Sequence, residues 1–384
     1  MKQRNLCLIG TLLLLACLSA ITLPEALAQT DGGYDLTWNT VDGGGGSDSA
    51  GGNFILSGAI GQPDAGIHRF GDEYSIDGGF WAGIRYYVVS SWDIDADGKA
   101  DFAVWRPDTG MWYSLMSSSP GSYGGMQWGM QTDEPVPGRY DRDGKSDIAV
   151  WRPSTGIWYM LPSNSPGTFA ADQWGLSSDV PVPGDYDADG KDDMGVWRPS
   201  TGFWYVLRSG SPGTYTAMQW GIETDIPVPG DYDDDSRTDF AVWRPSNGTW
   251  YILNSRVPGT YTVIQWGVST DVPTPGDYDG DAKTDIAVWR QDAGSWFILF
   301  SSSPGAYETI RWGMQGDMPV SGDFDGDGKA DVAVWRPSDG VWYVQPSRSP
   351  GTYTATQWGL VTDVAISALT RILRSIPAIL RSSL

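Results

Sequence analysis

Asp323-Phe324-Asp325-Gly326-Asp327-Gly328-Lys329-Ala330-Asp331 runs directly into Val332-Ala333-Val334-Trp335 and then Arg336-Pro337. Counting from Asp323, carboxylates stand at positions 1, 3, 5 and 9, where bare charges would repel one another. A hard cation that takes six to eight oxygens, Ca2+, relieves that repulsion. The glycine at position 6 permits the sharp turn that aims the acids inward, and position 7 offers a backbone carbonyl. A helix-loop-helix calcium site needs an acid at position 12 between amphipathic helices. Here position 12 is Val334, and both flanks read as strands. The stretch is therefore an acidic turn inside a β-hairpin, with aspartates that serve only as turn formers as the competing reading.

The same loop occurs six times. Loop one carries Asp93, Asp95, Asp97 and Asp101, with Lys99 at position 7. In loop two Arg139 replaces the first acid and leaves Asp141, Asp143 and Asp147, with Lys145 at position 7. That site is expected to be the weakest or empty. Loop three is complete, with Asp185, Asp187, Asp189, Lys191 and Asp193. Loop four has Asp231, Asp233, Asp235, Arg237 and Asp239, but Ser236 at position 6; loop five has Asp277, Asp279, Asp281, Lys283 and Asp285, but Ala282 there. Loop six supplies Asp323, Asp325, Asp327, Lys329 and Asp331. Ser236 and Ala282 are strained if position 6 requires positive φ.

Tryptophan keeps the same step. Trp105, Trp151, Trp197, Trp243, Trp289 and Trp335 lie 46 residues apart, and so do the series starting at Trp112 and Trp128. A period in the forties with strands and no helical pattern means one propeller blade per repeat. In the repeat around loop three, the four strands are expected at 179–184, 194–198, 203–208 and 214–220. The chain is thus expected to be all-β, a propeller of six four-stranded blades over 85–363, with blade one starting at Tyr86. Blade one, near Trp105 and Trp112, should then pack on blade six, near Trp335 and Trp342. A seventh blade improvised from residues 30–84 is the alternative.

The motif D-x-D-x-D-G-x-x-D before a hydrophobic strand resembles the FG-GAP/VCBS repeat of integrin-α-type calcium-binding β-propellers, over about residues 86–363. The resemblance implies calcium in the loops and a role in adhesion or recognition of a glycan or protein ligand, not chemistry.

Outside the repeats, Lys2 and Arg4 precede an apolar run from Leu6 to Leu23 and then Ala26-Leu27-Ala28. This reads as a signal peptide over 1–28 of a secreted or cell-surface protein. Leu14-Leu15-Ala16-Cys17 offers a lipid-anchor alternative at Cys17. Residues 29–84 read as a small Gly-rich β module with strand-like runs at 34–38, 53–57 and 73–76. Residues 364–384 carry three arginines and no acid, a basic amphipathic tail that either contacts a membrane surface or caps the last blade.

Both cysteines lie in the leader, so the mature chain has no disulfide, and bound metal is one way to staple such a fold. His68 is the only histidine, which argues against a His-based zinc site or a Ser-His-Asp triad. Without the leader the chain holds 23 basic and 46 acidic residues, a net charge of −23, with 25 aspartates in the six loops. That excess argues against nucleic acid and anionic membrane as partners.

Each Trp-Arg step (Arg106, Arg152, Arg198, Arg244, Arg290, Arg336) has two readings. Trp and Arg line sugar pockets between blades, or the indoles pack and each arginine pairs with Asp133, Asp179, Asp225, Asp271, Asp317 or Asp363. Asn247-Gly248-Thr249 is an isolated glycosylation sequon. The close carboxylate pairs all belong to the loops, so no catalytic set stands out. The chain reads as a monomeric, non-enzymatic recognition module, with a structural surface spacer as the alternative and a propeller hydrolase or lyase behind both.

Overall fold

The computed structural model describes residues 92–367 and Leu369, together with four short strands nearer the N-terminus. Those four form two antiparallel hairpins, Ser49–Gly51 with Phe54–Leu56 and Arg69–Phe70 with Ser75–Ile76. They belong to a separate unit spanning Met1–Arg85. The run expected at 34–38, the leader and residues 370–384 lie outside the described residues.

From residue 92 the chain folds into six four-stranded antiparallel sheets, arranged as the blades of a propeller, with no helix among the described residues. Blade three is typical: Val180–Pro181, Met194–Arg198, Phe203–Leu207 and Tyr215–Gln219. The first strand is a two-residue Val-Pro pair because proline cannot donate to a ladder. Its proline is buried, the second strand is buried through its middle, and the fourth is largely exposed, which orders them from axis to rim.

The register puts the first two tryptophan series opposite each other. Trp105 faces Trp112, Trp197 faces Trp204 and Trp335 faces Trp342, and the other three blades repeat this. All twelve indoles are at most 2% exposed, so packing, not sugar binding, accounts for them. Each pair buries itself on the next blade. Trp151 and Trp158 of blade two meet Val196 and Tyr205 of blade three, and Trp335 and Trp342 of blade six meet Val104 and Tyr113 of blade one. Blade six packing on blade one closes the ring at six.

Closure has a feature that the repeat pattern did not reveal. The innermost strand of blade one is Val364–Ile366, paired with Phe102–Arg106, not a segment that starts at Tyr86. The strand opens the stretch read above as a basic tail. Three residues on, Leu369 is fully buried with Ile226, Val228 and Val272. One sheet is thus built from both ends of the repeat array.

Candidate functional site

Loops two to six each link the first strand of a blade to the second. Loop one leads into the second strand of blade one, whose first strand is Val364–Ile366, and all six sit on the same end of the ring. In loop six Asp323 Oδ1 accepts the N–H of Gly326 at 2.6 Å and its Oδ2 that of Gly328 at 2.8 Å. Asp93, Asp231 and Asp277 cap positions 4 and 6 of their loops in the same way. Asp331, at position 9, accepts from Phe324 N–H and from Ser347 N–H in the turn between the third and fourth strands. Asp101, Asp147, Asp193, Asp239 and Asp285 repeat this double bond. The acids at positions 1 and 9 are thus oriented by the backbone before any ligand arrives.

The position-3 acid completes the group. Oxygens of Asp93, Asp95 and Asp101 lie within 4.8 Å of one another, as do those of Asp185, Asp187 and Asp193, of Asp231, Asp233 and Asp239, and of Asp277, Asp279 and Asp285. In loop two the trio is Asp141, Asp143 and Asp147. Asp187, Asp233, Asp279 and Asp325 each hold a buried Oδ1 with no hydrogen-bond partner. A carboxylate oxygen hidden from water and given no donor is costly unless a cation faces it.

Position 5 behaves differently. Asp97, Asp143, Asp235, Asp281 and Asp327 accept a serine hydroxyl from the turn beyond the third strand (Ser117, Ser163, Ser255, Ser301 and Ser347) at 2.8–2.9 Å. They also accept the N–H of position 7, from Lys99, Lys145, Arg237, Lys283 and Lys329, as Asp189 does from Lys191. These bonds fix the peptide at position 7. The serines escaped the sequence reading, although they recur at the 46-residue step.

Position 6 takes positive φ in every loop: +83° at Gly98, +65° at Ser236 and +69° at Ala282, for example. Position 4 does so too, at Ala96 (φ 61°), Arg142 (69°), Ala188 (59°) and Asp234 (61°). The strain expected at Ser236 and Ala282 is therefore real and extends to position 4.

Burial pushes the loop carboxyls up. Asp185, Asp239, Asp277 and Asp331 reach about 7, and Asp101, Asp147, Asp193, Asp231, Asp285 and Asp323 about 6, because burial disfavours the charge. Neighbouring carboxylates add to the rise, and backbone N–H donors partly offset it, as at Asp331. Asp93 is also raised by burial, against the opposing effect of nearby Arg139.

The loops also touch one another. The position-8 N–H of each loop donates to the position-1 carbonyl of the preceding one: Ser146 to Asp93, Asp192 to Arg139, Thr238 to Asp185, Thr284 to Asp231, Ala330 to Asp277 and Ala100 to Asp323, at 2.5–2.7 Å. The six loops are one closed hydrogen-bonded ring.

At the opposite ends of the second strands the expected ion pairs form. Arg152 Nε lies 2.7 Å from Asp133, Arg244 2.7 Å from Asp225 and Arg336 2.7 Å from Asp317, with Arg198–Asp179, Arg290–Asp271 and Arg106–Asp363 at 2.8 Å. Each guanidinium also lies 4.3–4.6 Å over an aromatic ring of the third strand.

The third tryptophan series does more than pack. Trp174 donates its indole N–H to Tyr205 O of the next blade at 3.0 Å, and its ring meets Tyr215 at 5.7 Å and 56°. The same notch recurs at Trp128/Phe169, Trp220/Tyr261, Trp266/Tyr307, Trp312/Tyr353 and Trp358/Tyr123, at 5.6–5.8 Å. These tyrosines and the phenylalanine are 60–69% exposed. The 46-residue step reveals these tryptophans in the sequence; their aromatic partners, Tyr123, Phe169, Tyr215, Tyr261, Tyr307 and Tyr353, keep the same step and escaped the sequence reading.

No family model matches the chain, and no curated protein matches it in sequence. Among solved structures of similar fold is an Agrocybe aegerita lectin that recognises non-reducing terminal N-acetylglucosamine, at 12% identity and TM-score 0.46, covering 67% of this chain and 90% of that one. Streptogramin B lyase aligns at 9% identity and TM-score 0.44 over 70% of this chain and 86% of its own. AztD from Citrobacter koseri aligns at 11% and 0.42 over 67% and 86%. These likenesses concern architecture and carry nothing about activity.

Proposed function

We propose that this chain is an exported, calcium-stiffened propeller that recognises a glycan or protein ligand and performs no chemistry. The observation that carries the calcium part is the set of buried, partnerless oxygens on Asp187, Asp233, Asp279 and Asp325. Three of these acids lie within 4.8 Å of two further acids whose orientation is already fixed. An all-oxygen group of this kind suits a hard cation. Positions 1, 3 and 9 would hold it directly, and the ion would offset the burial, and the lesser mutual repulsion, that keep these carboxyls raised. Extracellular calcium, at millimolar levels, matches such sites even at modest affinity.

The recognition part is supported by the six rim notches. Exposed Tyr beside half-buried Trp is a composition enriched at binding hot spots, and six copies would give avidity to a repetitive ligand. The absence of chemistry is supported by composition, since residues 92–384 contain no His or Cys. The close carboxylates lie in loops suited to a cation.

Two experiments test the reading. Thermal melts with EGTA and then excess Ca2+ should show a loss of many degrees that calcium restores, and a melt indifferent to both would remove the calcium claim. A glycan array with the calcium-loaded protein should give specific signals that Tyr261→Ala with Tyr307→Ala weakens. Silence across sugars, and across candidate protein ligands, would leave a calcium-stiffened spacer.

A further inference from the structure

Loop two differs from its five neighbours in charge. Residues 139–147 carry Arg139, Arg142 and Lys145 against Asp141, Asp143 and Asp147, and so are neutral without an ion. Every other loop is left with at least three uncompensated negative charges. Blade three is altered to match. It alone has an acid at position 8, Asp192, where the other loops have Ala100, Ser146, Thr238, Thr284 and Ala330. Asp192 Oδ2 accepts the N–H of Arg139 at 3.0 Å, while Asp192 N–H donates to Arg139 O at 2.7 Å.

The second tie moves an aspartate. Asp189 of loop three is the one position-5 acid without a serine hydroxyl: Ser209 Oγ has no partner. Asp189 Oδ2 instead lies 3.2 Å from Arg142 Nη2 of loop two. It also passes close over Gly210, where an added Cβ would meet that oxygen at 2.8 Å. The other blades have Ser118, Asn164, Arg256, Ser302 and Arg348 at this place. Arg139, Arg142, Asp189, Asp192 and Gly210 are thus five departures in sequence or geometry that meet at one junction.

We propose that loop two, whose acids these protein cations balance in charge and which Arg142 and Asp192 tie to loop three, takes up no metal ion, so that the ring has five cation sites. It follows that the junction between blades two and three stays closed when the other five lose their ions. The ion count rests on the calcium reading above; the lock itself does not. Loop two lacks the partnerless oxygen, since Asp141 Oδ1 accepts Asp143 N–H and Oδ2 accepts Asn164 N–H. Loop one lacks it too, with Asp95 accepting Asp97 N–H and the Ser118 hydroxyl, so charge and the two ties, not this oxygen, set loop two apart.

The test uses the full chain stripped of metal on a chelating resin. Equilibrium dialysis against radioactive Ca2+ should count five ions in the wild type and six in Arg139→Asp; six in the wild type overturns the ion count. Hydrogen exchange by mass spectrometry on the stripped protein reads the lock separately. Peptides over 139–147 should exchange roughly tenfold more slowly than those over 277–285 and 323–331. Arg142→Gln and Asp192→Asn should each remove that difference, and Arg142→Lys should keep part of it. Loop two exchanging as fast as loop five in the wild type overturns the lock. If no ion binds at all, the calcium reading and the count fail together, and the exchange data still decide the lock.

Discussion

Arg106 and Asp363 form a two-armed ion pair, Nε to Oδ1 at 2.8 Å and Nη2 to Oδ2 at 2.9 Å, although 257 residues separate them. Within the array the same pair joins residues 19 apart, as in Arg244 and Asp225. At the seam it also fastens the strand Val364–Ile366 into blade one, and Trp358 adds its indole N–H to Tyr113 O at 3.2 Å. The Asp363 side chain is fully buried and that of Arg106 is 24% exposed. Stranding one partner of such a pair is expensive, less so where the survivor reaches water.

We therefore expect Asp363→Asn to lower stability to urea by about 2–4 kcal/mol. Ending the chain at Asp363 should do more, because Phe102–Arg106 would become an open edge beside exposed indoles. Light scattering should then report association. A monodisperse, equally stable truncated chain would show that the seam strand contributes nothing.

Backbone strain in the loops gives a second expectation. Ala282 (φ 69°) and Ala188 (φ 59°) hold a conformation that disfavours any Cβ. Ala282→Gly and Ala188→Gly should each stabilise the protein by about 0.5–1 kcal/mol, the relief being partly offset by glycine's greater freedom when unfolded. Gly98→Ala is the converse control. Nothing lies within 4 Å of its added Cβ, so any loss reflects φ alone. Unchanged melting temperatures in all three would mean the loops relax freely.

The repeats made the blades legible. A tryptophan recurring every 46 residues beside an apolar strand specifies both the period and the buried face, and the Arg–Asp pairing followed from the same step. The seam was not legible. Val364-Ala365-Ile366 lacks the proline that stands second in every other inner strand (Pro135, Pro181, Pro227, Pro273 and Pro319), and the strand's partner lies at the far end of the array. Within the loops, the acids were visible as a motif, but the division of labour among them was not. Position 5 turned to serine because the partner hydroxyl comes from another turn, 20 residues on. Arg142 and Asp192 stand outside the repeated acid positions, and only the ring, which sets loops two and three side by side, gives them a role.

The aspartates at position 3 should respond oppositely with and without metal. Asp325 Oδ1 is buried and partnerless, and Asp327 beside it raises its pKa further once burial has done so. In stripped protein, Asp325→Asn should raise the melting temperature by a few degrees, since about 1 kcal/mol is worth 2–4 °C in a domain of this size. In calcium it should lower the melting temperature and remove one bound ion. Asp141→Asn should instead cost a similar, modest amount in both states, because both its oxygens accept backbone N–H groups and the amide nitrogen would face one of those donors. The same sign for Asp325→Asn under both conditions would contradict the cation reading.

The pH dependence of the stripped protein follows from the raised carboxyls. Asp185, Asp239, Asp277 and Asp331 titrate near 7 in the fold, because burial outweighs the N–H donors that face them. In the unfolded chain the same groups titrate near 3.9. Between those values the folded state binds more protons than the unfolded state, so stability falls as pH rises. We therefore expect the metal-free melting temperature to climb from pH 8 down to about pH 5, the reverse of ordinary acid denaturation. Calcium should invert the slope. An ion holds the carboxylates charged, and acid must then displace it, so stability is lost as pH falls. Melting curves at pH 5, 6, 7 and 8, on resin-stripped protein with and without Ca2+, should cross. Parallel curves would mean that the six loops share their protons with no cation at all.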